Sequence, residues 1–406
     1  MIDTGVLILG GGASGLAAAI EAARLGADVT VLEKLDRVGK KILATGNGRC
    51  NLLNLRASPA DYNDPSFVGR IFAQFDVQSD LRFFRSMGLL TTADSEGRVY
   101  PRSNAASSVL DVLRMECARL GVRTVGGEAA QSIRRERGAF TVNGSLRARA
   151  VIVACGGKAS PVHGTDGSGY RLLEAFGHVC TPLRPALVQL RTDPDFVKGL
   201  KGLRAAVTLT LQTPQGDSHT SQGEALFTDY GLSGIAAMEL SRYAAQGGTL
   251  YIDFLPDIDK TQTAALVREA RERGGSWPLE QLLLGAVHSR IGQAILRRTL
   301  SRKLSDPCSL LTESEAQSLT EALKAFPLPV LGTKGFADAQ VTAGGLDVTA
   351  FSDTLESHRV PGLFACGEIL NIDGKCGGYN LTFAWSSGRL AGRSAAQFLQ
   401  KQRASS

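Results

Sequence analysis

The stretch VLILGGGASGLAAAIEAARLGADVTVLEK, residues 6–34, decides the fold of the first part of the chain. Its short apolar run at 6–9 indicates a buried strand. The alanine-rich run after the glycines predicts a helix that ends near Gly26. A second apolar run then leads to Glu33. Together these segments predict a β-α-β unit.

Gly10, Gly12 and Gly15 form the pattern G-x-G-x-x-G between the first strand and the helix. The first glycine of such a pattern permits a tight turn, the second lets a pyrophosphate approach the backbone, and the third lets helix and strand pack closely. Glu33, at the end of the second strand, can accept both hydrogen bonds of a ribose diol and disfavours a 2′-phosphate. The pattern therefore predicts a bound dinucleotide, either NAD or FAD.

A second glycine-rich segment, GLFACGEILNIDGKCGGYNL at 362–381, favours FAD. It predicts a strand, a turn at Gly367 and Glu368, a loop, and a helix that begins near Asn380. The ribityl chain and ring of a flavin extend past the first β-α-β unit and need a second binding segment, whereas a simple NAD domain does not. The helix N-terminus would face N1 and the C2 carbonyl of the flavin, where negative charge develops on reduction.

A third segment, GKKILATGNGRCNLLN at 39–54, shows no helical or strand period across residues 45–51. Its glycines would let the backbone approach a flat ring. Asn47 and Asn51 suit either left-handed turns or amide contacts with the flavin edge. This 39–54 loop and the 377–381 turn, which begins at Gly377, are predicted to flank the flavin ring.

With these motifs, the sequence resembles the BaiN/YhiN-like flavoproteins, which are FAD-dependent oxidoreductases of the glutathione-reductase-like superfamily. The resemblance runs nearly end to end. It rests on GGGASGLAAA at 10–19, the 39–54 loop, GTDGSGY at 164–170, GEALFTDYGLSG at 223–234, VTAGGLD at 341–347 and GGYNLTFAWSSGRLAG at 377–392. It implies an FAD domain built from both chain ends, with contacts to FAD at these blocks.

The motifs and the resemblance together give one set of predicted FAD contacts. The set comprises Gly10, Gly12, Ala13, Ser14, Gly15, Glu33, Lys34, Lys40, Thr45, Gly46, Asn47, Gly48, Cys50, Asn51, Ala154, Cys155, Gly156, Gly367, Glu368, Gly377, Gly378, Tyr379, Asn380 and Leu381.

Three residues are candidates for catalysis. Arg49 would bind an anionic substrate or polarise a carbonyl; alternatively it is a buried arginine that anchors its loop through backbone carbonyls. Tyr379 would stack on or donate to a ligand, or else pack at the helix start. Lys375 would add positive charge near the flavin, or else is a solvated loop lysine. Cys50 has no resolving partner, so a small buried apolar role is favoured over redox catalysis.

The expected fold is α/β, with a Rossmann-like doubly wound FAD-binding domain at 1–188 and 345–406. The run VTLTLQ at 207–212 alternates apolar and polar residues, which indicates an antiparallel sheet with one wet face. An inserted β-rich substrate domain is therefore expected at 189–258 and 325–344. Residues 261–323 have a mostly helical pattern, and a small helical domain is expected at 259–324.

Charge and cysteine content bear on the possible partners of the protein and on its disulfide bonds. The net charge of +6 is only mildly basic and does not single out nucleic acid. Five basic residues between 290 and 303, with no acid from 281 to 305, are expected to form a solvated helix face. The seven cysteines are widely spaced without C-x-x-C, which favours free thiols in a reducing compartment.

The remaining expectations concern metals and location. The five scattered histidines predict no metal site. The N-terminus lacks the basic start of a signal peptide, and Glu21 and Arg24 interrupt its apolar run. A cytoplasmic protein without a membrane span is expected.

The predicted function is an FAD-dependent oxidoreductase that transfers a hydride between flavin and a small organic substrate. A second G-x-G-x-x-G for a separate nicotinamide domain is absent, so NAD(P)H is expected to dock transiently as electron donor. The resemblance leaves open both enone reduction and amine oxidation. One alternative is a flavoprotein that modifies RNA, which only the basic segment at 288–303 supports. The other is a non-catalytic flavin-binding protein.

Overall fold

The computed structural model describes residues 2–244 and 247–404. The chain divides into two compact units. Unit 1 comprises Met1–Arg184 and Val341–Ser406, and unit 2 comprises Pro185–Gln340. The predicted separate helical domain at 259–324 falls inside unit 2, and the predicted three-domain division stays a prediction.

The strands are numbered in chain order. They are β1 (Ile2–Leu9), β2 (Val29–Glu33), β3 (Leu53–Asn54), β4 (Thr91–Ala93), β5 (Arg98–Pro101), β6 (Arg123–Gly126), β7 (Ile133–Glu136), β8 (Ala139–Val142), β9 (Leu146–Val153), β10 (Arg184–Ala186), β11 (Leu190–Thr192), β12 (Arg204–Gln212), β13 (Ser218–Phe227), β14 (Gly231–Ser233), β15 (Gly248–Asp253), β16 (Phe326–Thr333), β17 (Val341–Ala343) and β18 (Leu363–Ala365).

The α-helices are numbered in the same way. They are α1 (Ala13–Arg24), α2 (Lys40–Ala44), α3 (Pro65–Phe72), α4 (Val77–Ser86), α5 (Ala106–Arg119), α6 (Ser168–Glu174), α7 (Pro194–Val197), α8 (Ile235–Leu240), α9 (Lys260–Gly274), α10 (Ser289–Thr299), α11 (Glu313–Ala325) and α12 (Tyr379–Ala404). Short 3₁₀ helices lie at Thr45–Gly48, Pro59–Asp61, Pro161–His163, Leu279–Gln281, Cys308–Leu310, Val348–Ala350 and Gly367–Ile369.

Unit 1 is built on a sheet that joins the two ends of the chain. β6, β2, β1 and β9 follow one another as parallel neighbours, with Val6 opposite both Val29 and Ala150. β18 adds to β9 in parallel, and β8 and β7 continue from β9 as antiparallel strands. β1 is buried on both faces from residue 4 onward, as expected of a central parallel strand.

The long helix α12 packs directly on α1 because two glycines remove side chains from the interface. A Cβ on Gly388 would lie 2.3 Å from the carbonyl oxygen of Ser14, and one on Gly392 would lie 2.2 Å from that of Ala18. The two glycines are four residues apart and so lie on one face of α12. The last helix is thereby seated on the first, next to the glycine-rich turn at 10–15.

A small three-stranded sheet in unit 1 supports the 39–54 loop. Its order is β3-β5-β4, with Leu53 opposite Val99 and Asn54 opposite Arg98. Leu53 and Val99 are buried. This sheet fixes the end of the loop in place.

Apolar residues in the region 66–87 recur at helical spacing, which predicts helix throughout the region. It forms two helices, α3 and α4, with a break between Phe72 and Val77. The carboxylate of Asp76 accepts a hydrogen bond of 2.7 Å from the backbone N–H of Ser79, so it caps α4 as a new helix. The predicted apolar contacts remain, since Phe67, Ile71 and Phe75 are all buried.

Unit 2 contains a closed antiparallel barrel in the order β11-β14-β13-β12-β15-β16, closed by pairing of β11 with β16. The predicted alternation is confirmed, since Val207, Leu209 and Leu211 are buried while their neighbours are not. Helices α9 to α11 share one buried apolar cluster with the barrel strands. The expected α/β fold with an inserted antiparallel β-rich part is therefore confirmed.

Among residues 2–244 and 247–404, no helix is long and apolar enough to cross a membrane. Within the same residues, no cluster of three or more histidine, cysteine or acidic side chains is arranged to hold a metal ion. No disulfide links the cysteines of the described part of the chain.

Candidate functional site

The three glycines of the first turn occupy three different environments. Gly10 has φ = +104°, and a Cβ there would lie 2.5 Å from the carbonyl oxygen of Ala154. A Cβ on Gly15 would lie 1.9 Å from the carbonyl oxygen of Gly10. A Cβ on Gly12, by contrast, would have no neighbour within 4 Å. The first and third glycines therefore allow close packing, and the second leaves open space.

That open space lies at the N-terminus of α1. Gly12 is the N-cap residue, and no side chain caps the helix there. The first backbone N–H groups of a helix have no intrahelical acceptor, and together with the helix dipole they favour an anion. A helix start with room beside it and no side-chain cap is suited to a pyrophosphate.

Glu33 is held in a fixed position beside this turn. One carboxylate oxygen accepts from the N–H of Gly11 at 2.8 Å, and the other accepts from the N–H of Leu35 at 2.9 Å. A carboxylate has about four acceptor positions, so two remain for a ribose diol. Lys34, also in the predicted set, forms a 2.6 Å ion pair with Asp166. That aspartate lies in the GTDGSGY block at 164–170.

The second glycine-rich segment meets the first turn at Gly367. A Cβ on Gly367, whose φ is +74°, would lie 2.4 Å from Oγ of Ser14. The carboxylate of Glu368 accepts from Nζ of Lys41 at 2.8 Å and from the N–H of Thr342 at 2.8 Å. The turn at 10–15, the 39–54 loop and the 367–368 turn thus come together at one place in unit 1.

Lys41 and Thr342 were not among the predicted contacts, whereas Lys40 was. Lys40 forms an ion pair of 2.5 Å with Asp36, and both side chains are largely exposed. Successive residues of a helix point about 100° apart, so within α2 only one of the two lysines can face Glu368. The adjacent lysines Lys40 and Lys41 indicated a positive charge at this position, but the sequence did not show which of them faces Glu368.

The middle of the 39–54 loop has an unusual backbone. Gly46, Asn47, Gly48 and Cys50 all have positive φ, at +57°, +54°, +80° and +57°. Two of these residues are not glycine, and left-handed backbone is unfavourable for them. The side chain of Thr45 donates to the carbonyl oxygen of Ile42 at 2.6 Å, and the N–H of Cys50 donates to the carbonyl oxygen of Thr45 at 3.0 Å. The loop is therefore folded tightly on itself.

The 39–54 loop and the start of α12 are joined by hydrogen bonds. The side-chain amide of Asn54 donates to the carbonyl oxygen of Gly377 at 2.9 Å. The indole N–H of Trp385, which is fully buried, donates to the carbonyl oxygen of Leu52 at 2.8 Å. A Cβ on Gly378 would lie 2.6 Å from the carbonyl carbon of Leu53. The 377–381 turn therefore lies directly against the loop.

Asn51 leaves a polar atom without a partner at this junction. Its Oδ1 is buried and accepts no hydrogen bond within the described residues, and it lies 2.8 Å from the position of a Cβ on Gly378. A buried acceptor without a donor costs free energy, roughly 1–3 kcal/mol. A ligand that carries an N–H donor at the start of α12 would satisfy it.

The structure confirms the apolar role expected of Cys50. The side chain is completely buried. Burial raises the pKa of the Cys50 thiol to about 11, although a hydrogen bond with Thr45 opposes this. The thiol therefore stays protonated at neutral pH, which argues against a redox role.

The three catalytic candidates lie around the junction of the 39–54 loop and α12. Arg49 is exposed, so the expected burial is wrong, but its Nε does donate to the carbonyl oxygen of Gly46 in the same loop at 3.4 Å. The ammonium of Lys375 forms a 2.8 Å ion pair with Asp61. Tyr379 is half-buried, and its ring packs edge-on against Tyr62, whose hydroxyl donates to the Tyr379 carbonyl oxygen at 2.8 Å.

The remaining predicted contacts frame the same region. Ala154 is buried at the end of β9, and the Cys155 thiol contacts the carbonyl oxygen of Leu9 at 3.4 Å. Gly156 has φ = +71° and lies against Thr165. The side chain of Asn380 is engaged with the backbone of the preceding loop, accepting from the N–H of Gly374 at 2.8 Å.

The basic segment of unit 2 has the structure of a solvated helix face, as expected. α10 buries Ile291, Gly292, Ile295 and Leu296 and exposes its arginines. Arg298 pairs with Asp193 at 2.8 Å, and Arg302 pairs with Glu315 at 2.6 Å. Part of the positive charge is therefore neutralised within unit 2.

The residues of unit 1 fit FAD. Gly12 and the uncapped start of α1 suit its pyrophosphate, and Glu33 suits its ribose. Asn51 and the N-terminus of α12, which has no acidic residue in its first turn, suit the polar edge of its ring.

Comparisons with known proteins show the family of the chain. The model of the HI0933-like protein Rossmann domain matches residues 4–394. A 3-dehydro-bile acid delta(4,6)-reductase of Clostridium scindens is 38% identical over 406 residues, which covers 96% of this chain and 98% of the relative. A ribosomal RNA dihydrouridine synthase of Haemophilus influenzae is 29% identical, covering 94% of this chain and 96% of the relative.

Solved structures support the fold. A 3-ketosteroid-delta4-(5alpha)-dehydrogenase of Rhodococcus jostii superposes with a TM-score of 0.50 at 17% identity, covering 97% of each chain. At that identity the likeness supports the fold alone. Family model, relatives and site together give one conclusion: the chain belongs to the HI0933-like family and is an FAD-dependent oxidoreductase.

Proposed function

We propose that this flavoenzyme uses NADH or NADPH to reduce a carbon–carbon double bond conjugated to a carbonyl group in a small organic substrate. The observation that carries the proposal is the end-to-end similarity, at 38% identity, to a 3-dehydro-bile acid delta(4,6)-reductase. In a substrate so named, a ketone at position 3 is conjugated to the double bonds that are reduced. Reduction rather than amine oxidation is therefore the proposed direction.

The more distant relatives fit the same bond chemistry. A ribosomal RNA dihydrouridine synthase is 29% identical to this chain. Uridine becomes dihydrouridine when the double bond next to its C4 carbonyl is reduced. Both names thus describe hydride addition to a carbon–carbon double bond activated by a carbonyl. This shared chemistry supports the proposed reaction more strongly than it supports any one substrate.

The proposed binding of FAD follows from the geometry of unit 1. The start of α1 and Gly12 would hold the pyrophosphate, and Glu33 would hold the adenosine ribose. Asn51 Oδ1 would accept from a ring N–H, and the N-terminus of α12 would stabilise negative charge on the reduced ring. When bound, FAD supplies the hydride-transfer chemistry.

On the substrate side, the chain must stabilise negative charge on the carbonyl oxygen and deliver a proton to carbon. Tyr379 is proposed to deliver the proton to carbon and to regain one from solvent, because its phenol is a neutral donor on a half-buried ring at the start of α12. Lys375, through its ion pair with Asp61, would hold the 371–378 segment in place. Arg49 remains exposed beside them.

The nicotinamide donor is proposed to dock only transiently. The chain has no second G-x-G-x-x-G segment after a strand, so no separate nicotinamide domain is expected. Glu33 would bind the ribose of FAD, so it does not indicate whether the electron donor is NADH or NADPH.

Rapid mixing of the purified, FAD-loaded protein tests the proposal. Under anaerobic conditions NADH or NADPH should bleach the flavin absorbance, and a conjugated enone should then restore it faster than a saturated ketone of the same size. Tyr379→Phe should slow the enone step at least about 10-fold without slowing bleaching. Bleaching without reoxidation by any member of a cyclic enone panel would refute the proposed substrate class.

A second candidate is reduction of uridine in RNA. Two relatives named ribosomal RNA dihydrouridine synthases favour it, from Haemophilus influenzae and Escherichia coli. In unit 2, Arg297 and Lys303 are exposed and form no ion pair within the described residues. Reoxidation of the reduced protein by ribosomal RNA, with appearance of dihydrouridine and a salt-dependent rate, would support it.

A further inference from the structure

Arg49 is an exposed side chain whose guanidinium is nevertheless held in place. Its Cζ lies 4.9 Å from the centre of the Tyr100 ring. Its Nε donates to the carbonyl oxygen of Gly46 at 3.4 Å. Stacking of this kind attracts the cation to the ring while leaving the edge of the guanidinium open. The guanidinium of Arg49 is therefore stacked on Tyr100 while the residue stays exposed to solvent.

Two other cations near the 377–381 turn already have carboxylate partners. Arg98 pairs with Asp94 at 2.7 Å and with Glu96 at 2.9 Å. Lys375 pairs with Asp61 at 2.8 Å. Arg49 has no carboxylate partner anywhere in residues 2–244 and 247–404. Arg49 therefore carries an uncompensated positive charge in this region, as do Arg56 and Arg102, but Arg49 stacks on Tyr100.

The small sheet places this charge beside the flavin region. Asn54 and Arg98 are opposite each other on β3 and β5, so they share a face, and Tyr100 is on that face two residues further along β5. Asn54 bonds to the carbonyl oxygen of Gly377, and a Cβ on Gly377 would lie 3.5 Å from Cδ of Arg98. Tyr100 is therefore roughly 7 Å along the strand from the residue that touches Gly377.

We propose that Arg49 on Tyr100 forms an anion subsite, so that the substrate carries a carboxylate or a phosphate besides its conjugated double bond. A guanidinium fork binds either anion through two parallel hydrogen bonds. Because Tyr100 fixes the fork beforehand, little side-chain freedom is lost on binding. This inference rests on the proposed reductase function and adds the charge of its substrate.

The test compares substrates that differ only in charge. The FAD-loaded wild type, Arg49→Gln, Arg49→Lys and Tyr100→Leu are assayed with a cyclic enone carboxylic acid, its methyl ester and a phosphate of matched size. For the acid, Arg49→Gln should lose about 10- to 100-fold in kcat/KM, mainly through KM, while the ester changes less than about 3-fold. Arg49→Lys should recover only part of the loss, because an ammonium lacks the fork.

Arg102→Gln is the matched control. Arg102 is exposed and follows directly after β5, so this change removes a nearby charge without touching the stacked pair. It should leave the acid-to-ester preference unchanged. Equal preference for acid and phosphate would indicate a general anion subsite, whereas a preference for one of them identifies the physiological anion; either result supports the proposal.

Three results would overturn the anion subsite. One is an equal loss for acid and ester in Arg49→Gln, which would mean that Arg49 polarises the carbonyl. Another is a changed flavin midpoint potential in that variant, which would mean that Arg49 acts on the flavin. The third comes from binding alone: benzoate or phenyl phosphate should perturb the flavin spectrum of the wild type and do so about 10-fold more weakly in Arg49→Gln, and no perturbation in the wild type would exclude the subsite.

The binding measurement also separates the two proposals. If no enone reoxidises the reduced wild type, the reductase function fails, yet anion binding can still be measured through the flavin spectrum. If enones react but neither anion binds, the reductase function stands and the subsite does not.

Discussion

At the scale of single residues, substitutions of the glycines in the 10–15 turn should distinguish effects on FAD binding from effects on folding. Replacement of Gly12 by leucine should lower FAD affinity at least about 10-fold, because the side chain would occupy the open space at the start of α1. The apo protein should lose no more than about 1 kcal/mol of unfolding free energy, since nothing lies within 4 Å of the new Cβ and only the N-cap of α1 is weakened. Flavin titration and urea unfolding of the apo protein measure the two effects.

Gly15 provides the matched comparison. A Cβ there would lie 1.9 Å from the carbonyl oxygen of Gly10, so Gly15→Ala must push α1 away from β1. The apo protein should lose about 1–3 kcal/mol of unfolding free energy. If Gly12→Leu destabilises the apo protein as much as Gly15→Ala does, the space beside Gly12 is not a ligand space.

The unpartnered oxygen of Asn51 predicts opposite effects on the apo and FAD-loaded protein. Asn51→Ala removes a buried acceptor that has no donor, so the unfolding free energy of the apo protein should stay equal or rise. FAD binding should weaken about 2- to 12-fold through the loss of one hydrogen bond. Thermal unfolding with and without FAD would show the change in sign.

Asn54→Ala is the control from the same loop. Asn54 is 2% exposed, donates to Gly377 and accepts from the N–H of Arg56 at 2.9 Å. Its removal should lower the unfolding free energy of the apo protein by about 1–3 kcal/mol. If Asn51→Ala destabilises the apo protein to the same degree, then Asn51 has a structural role.

At the scale of elements, an ion pair between α1 and α5 gives a pH dependence. Glu116 accepts from Arg119 at 2.7 Å and from Arg24 of α1 at 2.7 Å. Hydrogen bonding to Arg119 and then to Arg24 lowers the pKa of Glu116 to about 2, against the opposing effect of burial. Because the folded pKa is depressed, the stabilisation is complete above the unfolded value and is lost as pH falls toward the folded one.

The variant Glu116→Gln should therefore be less stable than the wild type at about pH 6, and the difference should shrink as pH falls from about 4.5 to about 2. Urea midpoints across this range measure it. Glu136→Gln, at an exposed position on β7, should show no such convergence. A stability difference that stays constant with pH would contradict the assignment.

The elements also show where sequence patterns stop being sufficient. The turn between Gly10 and Gly15 was predictable because each glycine has a distinct steric reason. The break between α3 and α4 was not, since the apolar spacing continues through it and only the capping of Ser79 by Asp76 marks it. Which of Lys40 and Lys41 pairs with Glu368 was also not predictable, because two adjacent lysines do not show the rotation of a five-residue helix.

At the scale of the whole molecule, the predicted FAD contacts all lie in unit 1. FAD should therefore slow amide hydrogen exchange at the 10–15 turn, the 39–54 loop and the 377–381 turn, and leave the barrel strands of unit 2 nearly unchanged. Exchange measured by mass spectrometry on apo and FAD-loaded protein tests this. Equal protection of β12 and β15 would show that the binding effect extends to unit 2.

The fold class could be predicted from the sequence, but the closure of the antiparallel sheet of unit 2 into a barrel could not. Alternation at 207–212 indicated an antiparallel sheet, and Val207, Leu209 and Leu211 are buried as expected. That the sheet closes depends on pairing between Leu190 and Thr333, which are far apart in sequence and carry no local signal. The sequence also did not show that Arg49 lacks a carboxylate partner among the described residues, because this depends on which arginines pair with Asp94 and Glu96.

The junction of the two chain ends has a consequence for synthesis on the ribosome. β9 emerges long before β18, so the edge of Val151 to Val153 that β18 will occupy stays unpaired while all of unit 2 is translated. At roughly 5–20 residues per second this interval is on the order of 10 to 40 s. An unpaired strand edge invites pairing with other chains. The nascent enzyme is thus exposed to aggregation at this edge until β18 appears, and the proposed flavin site is incomplete until α12 has left the ribosome.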